Sequence, residues 1–390
     1  MEANVVMQTA STLHPDWPFT PSTPPRRLVV KVGSNVLALA EGGLNDVRIA
    51  SLCQSVAHAK ARGTEVILVS SGAVAAGRGL LGLKKRPTDI PELQAVAAIG
   101  QGALMEAYMR HFRAYKLLPA QVLLTRDDMD DRRRYLNARL ALLSMLAHNV
   151  VPVINENDTV TIDELKFGDN DMLSAMVAAK MDADLLIIMS NVPGLMTGHP
   201  KHDPNARLVA TVPEITPDIE ALVHSEGSEF GVGGMGSKLT AARHATSFGV
   251  NTVLLNGSED GQIERVLAGS FTGTWFQSHT SRRAGSSRRH WIVSRRPKGD
   301  IVVDDGAESA LVKSRKSLLA IGVRGTTGDF EKGDVVRVVN LAGRDLAHGI
   351  VNYDREILER IRGKRRDEIA QVLGEINYTE VIHCDNLVVL

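Results

Sequence analysis

Six short apolar runs recur along the first two thirds of the chain, at residues 28–32, 66–69, 121–124, 150–154, 185–189 and 252–255. Each ends at a polar or glycine-rich loop that leads into a helical stretch. Strands that are apolar on both faces and separated by helices predict a parallel-rich open sheet sandwiched by helices, an α/β fold. Asn45 is the expected N-cap of a helix running to about residue 62, with Gly63 as its stop, and a longer helix is expected near residues 93–115. In such sheets ligands bind outside the carboxyl ends of the strands, so the chemistry belongs in the loops that follow them.

The pattern changes after about residue 276. Short alternating pieces at 301–303, 335–339 and 380–383, with helices near 317–321 and 355–362, predict a small, mostly β domain. The expected organisation is an N-terminal arm at 1–25, an α/β domain at 26–278, a basic linker at 279–290 and a second domain at 291–390. The first 25 residues hold five prolines and no Lys or Arg, matching neither a secretory nor a mitochondrial leader, and are expected to be a disordered arm. The formal net charge is zero, so charge alone names no partner, although seven basic and no acidic residues lie between Ser281 and Lys298. The two cysteines, Cys53 and Cys384, give no metal spacing and no disulfide framework, which fits a cytoplasmic protein. No apolar run is long enough to span a membrane.

Four loops carry the candidate chemistry. Lys31 ends the first strand next to Gly33; burying its charge in a parallel strand needs a partner, and a phosphate at the strand end would serve, as would exposure to solvent. Ser70-Ser71-Gly72 opens a helix of small residues, where free backbone N–H groups bind anions, though tight helix–sheet packing explains the small residues equally. Asn155-Glu156-Asn157-Asp158 follows a strand, and Gly168-Asp169-Asn170-Asp171 opens the next helix. Capping accounts for one of these polar groups; the set as a whole favours a pocket for a small molecule bearing both amino and carboxylate groups. Val232-Gly233-Gly234-Met235-Gly236-Ser237-Lys238 runs straight into a helix, a phosphate cradle whose Ser-Lys order differs from the ordinary P-loop.

These stretches, in this order, together with Leu-Leu-Thr-Arg-Asp-Asp at 123–128, resemble the amino-acid kinase family, and within it the branch acting on glutamate. The likeness runs from about residue 27 to 276, and residues 291–390 resemble a PUA domain, a fold best known in RNA-modifying enzymes. The resemblance implies ATP and Mg²⁺ as cofactors and L-glutamate as the phosphoryl acceptor, a step in proline biosynthesis. It implies that Lys31 and Lys238 hold the phosphates, that Asp169 and Asp171 orient the lysines and the metal-nucleotide, and that Ser71, Asn155, Asp158 and Asn170 bind glutamate. Ser190, Asn191 and the segment from Val232 to Lys238 are implied around the nucleotide. The chain departs from the family at Asn191, where an Asp is usual, and at Met196, where an aromatic is usual. Relatives form homo-oligomers and are often inhibited by proline, and with no reductase segment in view, hand-over of the product to a separate reductase is expected. Two alternatives stay open: a carboxylate kinase for another amino acid, and an RNA-binding regulator with a vestigial kinase domain, suggested by the basic linker and by Arg362, Lys364, Arg365 and Arg366.

Overall fold

The computed structural model describes residues 6–7, 14, 16–161, 170–198, 203–224, 234–278, 292, 297–374 and 378–390. The six apolar runs become strands β2 (Arg27–Val32), β3 (Glu65–Val69), β4 (Pro119–Leu124), β5 (Val151–Glu156), β6 (Leu185–Ser190) and β8 (Asn251–Asn256), and three further strands join them, β1 (Val6–Met7), β7 (Val209–Val212) and β9 (Thr274–Phe276). They form one sheet in the order β1-β7-β9-β8-β6-β2-β3-β5-β4. The pairs from β8 through β4 are parallel, as is β7 with β9; β8–β9 and β1–β7 are antiparallel.

Side chains alternate across the central strands and feed two separate cores. Leu28, Val30 and Val32 pack with Leu185, Ile187 and Met189 beneath the helices Asp46–Ala61 and Ile90–Arg113. Val29 packs with Leu186 and Ile188 on the opposite face, under the helices Asn170–Lys180 and Met235–Ser247. Lys31 shares the parity of Val29, so it points toward that second pair of helices. Asn45 caps its helix as expected, its side chain accepting from the Arg48 N–H.

The segment expected to be a disordered arm is built into this domain where it is described. Trp17 is buried, in edge-to-face contact with Phe271 and Trp275, and Val6–Met7 extend the sheet beyond β7. Its aromatic side chains outweigh its prolines, because burying one large ring offsets the ordering of several residues.

The chain divides into two compact units, Met1–Ser281 and Arg282–Leu390. The second unit holds a five-stranded sheet of β10 (Gly299–Val303), β11 (Val323–Gly328), β12 (Val335–Asn340), β13 (Asp345–Ile350) and β14 (Leu387–Val389), in the order β11-β10-β12-β13-β14. Two expectations here are corrected. The helix placed near 317–321 is only a single turn, Ala320–Gly322, while a real helix spans Asp305–Val312, capped by Asp304 through the Ala307 N–H. The strand placed at 380–383 is one isolated bridge, Ile382 to Leu318, and the last strand lies further on. The expected basic linker falls outside the described residues.

The wall of the cleft described below depends on two glycines. Helix Ala73–Leu81 crosses helix Ile90–Arg113 so closely that a Cβ on Gly100 would lie 1.8 Å from the Ala73 carbonyl oxygen. A Cβ on Gly77 would lie 2.0 Å from the Val96 carbonyl oxygen. Alanine would gain about 1 kcal/mol of helix propensity. The clash is with backbone, so no rotamer change relieves it. Gly100→Ala is therefore expected to destabilise by about 1–3 kcal/mol net, read as a lower urea midpoint at unchanged slope; a stabilised variant would show that the helices part freely.

Candidate active site

The chain passes from β2 to β3 on one side and later to β6 on the other, which opens a crevice at the carboxyl ends of the central strands. A cleft of about 670 Å³ occupies it, lined by Lys31, Ser71, Asn155, Asp158, Asn170, Ser190, Asn191 and Lys238 among others. Residues from six separate stretches thus meet at one place.

At its base, Asp171 is wholly buried and holds two lysines. Lys31 Nζ lies 2.5 Å from Asp171 Oδ1, and Lys238 Nζ lies 3.1 Å from Oδ2. Lys31 is 1% exposed and Lys238 5% exposed. The Ser237 hydroxyl also donates to Asp171 Oδ2, at 3.0 Å. Burying an ammonium group alone is prohibitive, so the carboxylate is what allows two of them to stand at the foot of a cleft. Gly33 keeps the strand end tight: its N–H donates to the Met189 carbonyl, and a Cβ there would meet that oxygen at 3.2 Å.

The neighbouring wall is made of amides. Asn170 Nδ2 donates to the Ser70 carbonyl (2.7 Å), Ser71 Oγ (3.0 Å) and Asn155 Oδ1 (3.0 Å). Asn170 Oδ1 is buried and has no hydrogen-bond partner among the described residues. A buried carbonyl oxygen left without a donor costs free energy, and an N–H donor entering the cleft would offset it. Asp158 stands on the same cleft; burial pushes its carboxyl above the ordinary range, and the Arg86 charge partly offsets this. Below the loop, Ser70 Oγ bonds the phenol of the buried Tyr108 at 2.8 Å, and burial raises that phenol's pKa.

Of the residues singled out from sequence, Lys31, Ser71, Asn155, Asp158, Asn170, Ser190, Asn191 and Lys238 line one cleft, and Asp171 and Ser237 support it from beneath. Asp169, Val232 and Gly233 lie outside the described residues. Gly234 is the N-cap of the helix carrying Lys238, and Met235 packs partly buried against the core. A Cβ on Gly236 would meet only Val223 Cγ1, at 3.8 Å, so no close protein neighbour demands a glycine there. Asn191, the departure from the family pattern, accepts from the Ser190 hydroxyl at 3.3 Å; Met196 bridges Leu208. Sequence reasoning missed Arg78 and Arg86, which line the cleft from the loop side, and Gln101, which bonds Asn155 from the long helix. Arg86 precedes a proline between two helices and Gln101 sits mid-helix, contexts that carry no chemical signal.

A buried carboxylate gripping two lysines below strand-end loops, with a helix N-terminus beside it, defines a phosphoryl-transfer site on a doubly wound sheet. The profile of the amino acid kinase family matches residues 26–256, and that of the PUA domain matches residues 299–373. The chain belongs to the amino acid kinase family. It is 46% identical to the glutamate 5-kinase of Moorella thermoacetica over 94% of this chain and 96% of the relative. The glutamate 5-kinase of Geobacter sulfurreducens is also 46% identical, over 94% of this chain and 98% of the relative. Among solved structures, the UMP kinase of Bacillus anthracis aligns with 66% of this chain and 98% of its own, at 18% identity and a TM-score of 0.47.

Asp171→Asn removes the countercharge of two buried cations. It is expected to cost about 3–5 kcal/mol of folding stability. Added inorganic tripolyphosphate, which restores negative charge, should raise Tm by more in the variant than in the wild type. Equal Tm shifts in a thermal scan would show that Asp171 does not balance the lysines.

Proposed function

We propose that this chain transfers the γ-phosphoryl group of ATP to the side-chain carboxylate of glutamate, forming glutamyl 5-phosphate, the first step of proline biosynthesis. The observation that carries the reading is the meeting of Lys31 and Lys238 on one buried carboxylate, next to a wall presenting Asn170 Oδ1 and Asp158. The names of the relatives, at 46% identity over nearly the whole chain, support the same substrate.

The glutamate side chain has an ordinary pKa near about 4.3, so at neutral pH it is already a nucleophile and needs no general base. One side-chain oxygen forms a bond to the γ-phosphorus while the bond from that phosphorus to the bridging oxygen breaks, leaving ADP. Negative charge spreads over the transferred group in between, and catalysis rests on positioning and on neutralising it. Lys31 and Lys238 supply the neutralising charge, and Asp171 keeps both aimed. Mg²⁺ bound with the nucleotide would supply further positive charge to the phosphates, and Asp171 would orient the metal-nucleotide through the two lysines. At the other end of the substrate, Asp158 and Asn170 Oδ1 accept from its ammonium group. An N-acylated amino acid has no such charge to offer Asp158, which favours free glutamate.

The reading is tested by glutamate-dependent ADP formation with hydroxylamine trapping of the acyl phosphate, across a panel of glutamate, aspartate and N-acetylglutamate. Turnover with aspartate or N-acetylglutamate in preference to glutamate overturns it. Lys238→Ala is expected to lower kcat by on the order of 100-fold or more while circular dichroism stays native; near-normal turnover would remove its role. Because Asp158 titrates above the usual carboxylate range, glutamate KM should rise as pH falls through that raised value, where the group loses its charge. Protonation of the substrate carboxylate separately lowers kcat at acid pH. Asp158→Asn should raise KM at neutral pH and abolish the KM limb while leaving the kcat limb; a KM limb that persists in the variant would assign it elsewhere.

A further inference from the structure

The orientation of Asn170 is set from a distance. Asn155 Oδ1 accepts from the Glu156 backbone N–H at 2.9 Å, so that atom is an oxygen and Nδ2 lies opposite. The Ser70 backbone carbonyl accepts from Asn170 at 2.7 Å, so the atom of Asn170 facing inward is the nitrogen. These two backbone groups cannot exchange roles, so each favours one orientation of its amide without reference to any ligand. Asn155 Nδ2, buried with its residue only 3% exposed, then requires an acceptor, and Gln101 Oε1 provides it at 2.8 Å. Gln101 Nε2 in turn donates to Gln121 Oε1 at 3.3 Å. The polarity therefore runs one way, from Asn170 through Asn155 and Gln101 to the exposed Gln121, and it leaves Asn170 Oδ1 as the one unsatisfied buried oxygen of the series.

We propose that Gln101 is a positioning residue for substrate recognition: by accepting from Asn155 it locks the amide chain so that Asn170 presents a carbonyl, and not an NH₂, to the ammonium group of the amino-acid substrate. This rests on the glutamate reading above. Without the Gln101 acceptor, Asn155 can gain only by rotating its amide toward other partners, which sets its NH₂ against the Asn170 NH₂ and opposes the hold that the Ser70 carbonyl has on Asn170. A donor facing an ammonium repels it, whereas a donor facing a substrate without the amino group does no harm. Gln101 touches no reacting atom, so its effect falls on binding and not on the phosphoryl step.

The test uses Gln101→Met, which keeps length and volume but removes the acceptor, and Gln101→Glu, which restores it. Both are measured on the full chain by ADP release, with glutamate as substrate and glutarate, which lacks the amino group, as competitive inhibitor. The expected result is a glutamate KM raised about tenfold in Gln101→Met, with ATP KM and kcat within about twofold of wild type. The glutarate Ki should stay unchanged, so that the preference for the amino acid collapses, and Gln101→Glu should return KM toward wild type. If Gln101→Met weakens glutamate and glutarate equally, or lowers kcat with KM unchanged, the residue merely packs and the proposal falls. If Gln101→Met is too unstable to assay, Gln101→Glu decides alone: a tenfold KM increase in it overturns the proposal, and wild-type KM sustains it. A wild-type enzyme that does not phosphorylate glutamate would overturn the glutamate reading and this inference with it, an outcome distinct from any failure seen only in the variants.

Discussion

Asp171 meets two lysines that approach it from different elements: Lys31 from the end of a central strand and Lys238 from the first turn of a helix 67 residues further along the chain than Asp171. Neither ammonium could be buried without that carboxylate, and the carboxylate could not be buried without them. The desolvation of three charged groups is severe, and their mutual attraction in a region of low dielectric only balances it when the geometry is close. The arrangement is thus weak evidence for stability and strong evidence for use. A fold that keeps cations dry at the foot of a cleft has them ready for a polyanion that brings its own charge.

The sheet exists, for these purposes, to make that convergence rigid. Alternation along β2 sends Leu28, Val30 and Val32 into one core and Val29 into the other, and Lys31 follows Val29. The same face is covered by the helices that begin at Asn170 and Met235, so one helix supplies Asp171 and the other Lys238 from their first turns. A shift of the strand by one residue would carry Lys31 to the opposite face. The tight crossing at Gly77 and Gly100 serves the other half of the cleft, since it fixes the helix that leaves the Ser70-Ser71-Gly72 loop. Charge is handled on one side of the crevice and hydrogen-bond polarity on the other, which matches a substrate carrying a carboxylate to be phosphorylated and an ammonium to be recognised.

Much of the architecture was legible because it is written in local pattern. Continuous apolar runs announce doubly covered strands, and the strand cores at 28–32, 66–69 and 185–189 lie inside the observed ones. Where local pattern is thin, the reading slipped. The short strands β7 and β9 have too few residues to show a period. Trp17 sits among prolines, and only the presence of Phe271 and Trp275 across the fold makes that segment part of a core. In the second unit, the 301–303 and 335–339 strands were visible, while Ile382 forms a single bridge because its partner, Leu318, belongs to no strand.

The amino-acid sequence by itself determined the order of strands and loops, the lysines and acids at the strand ends, and the glycines that admit a phosphate, because each is a matter of residue type within a few neighbours. Tertiary structure alone decided that Lys31 and Lys238 share a carboxylate, that Arg86 acts on Asp158, and that Gln101 accepts from Asn155 while Asn155 accepts from Asn170. Those contacts join residues 15 to 140 positions apart. Hydrogen-bond polarity in particular has no signature in composition or periodicity: an amide reads the same in either orientation until fixed backbone groups from two different strands and loops surround it.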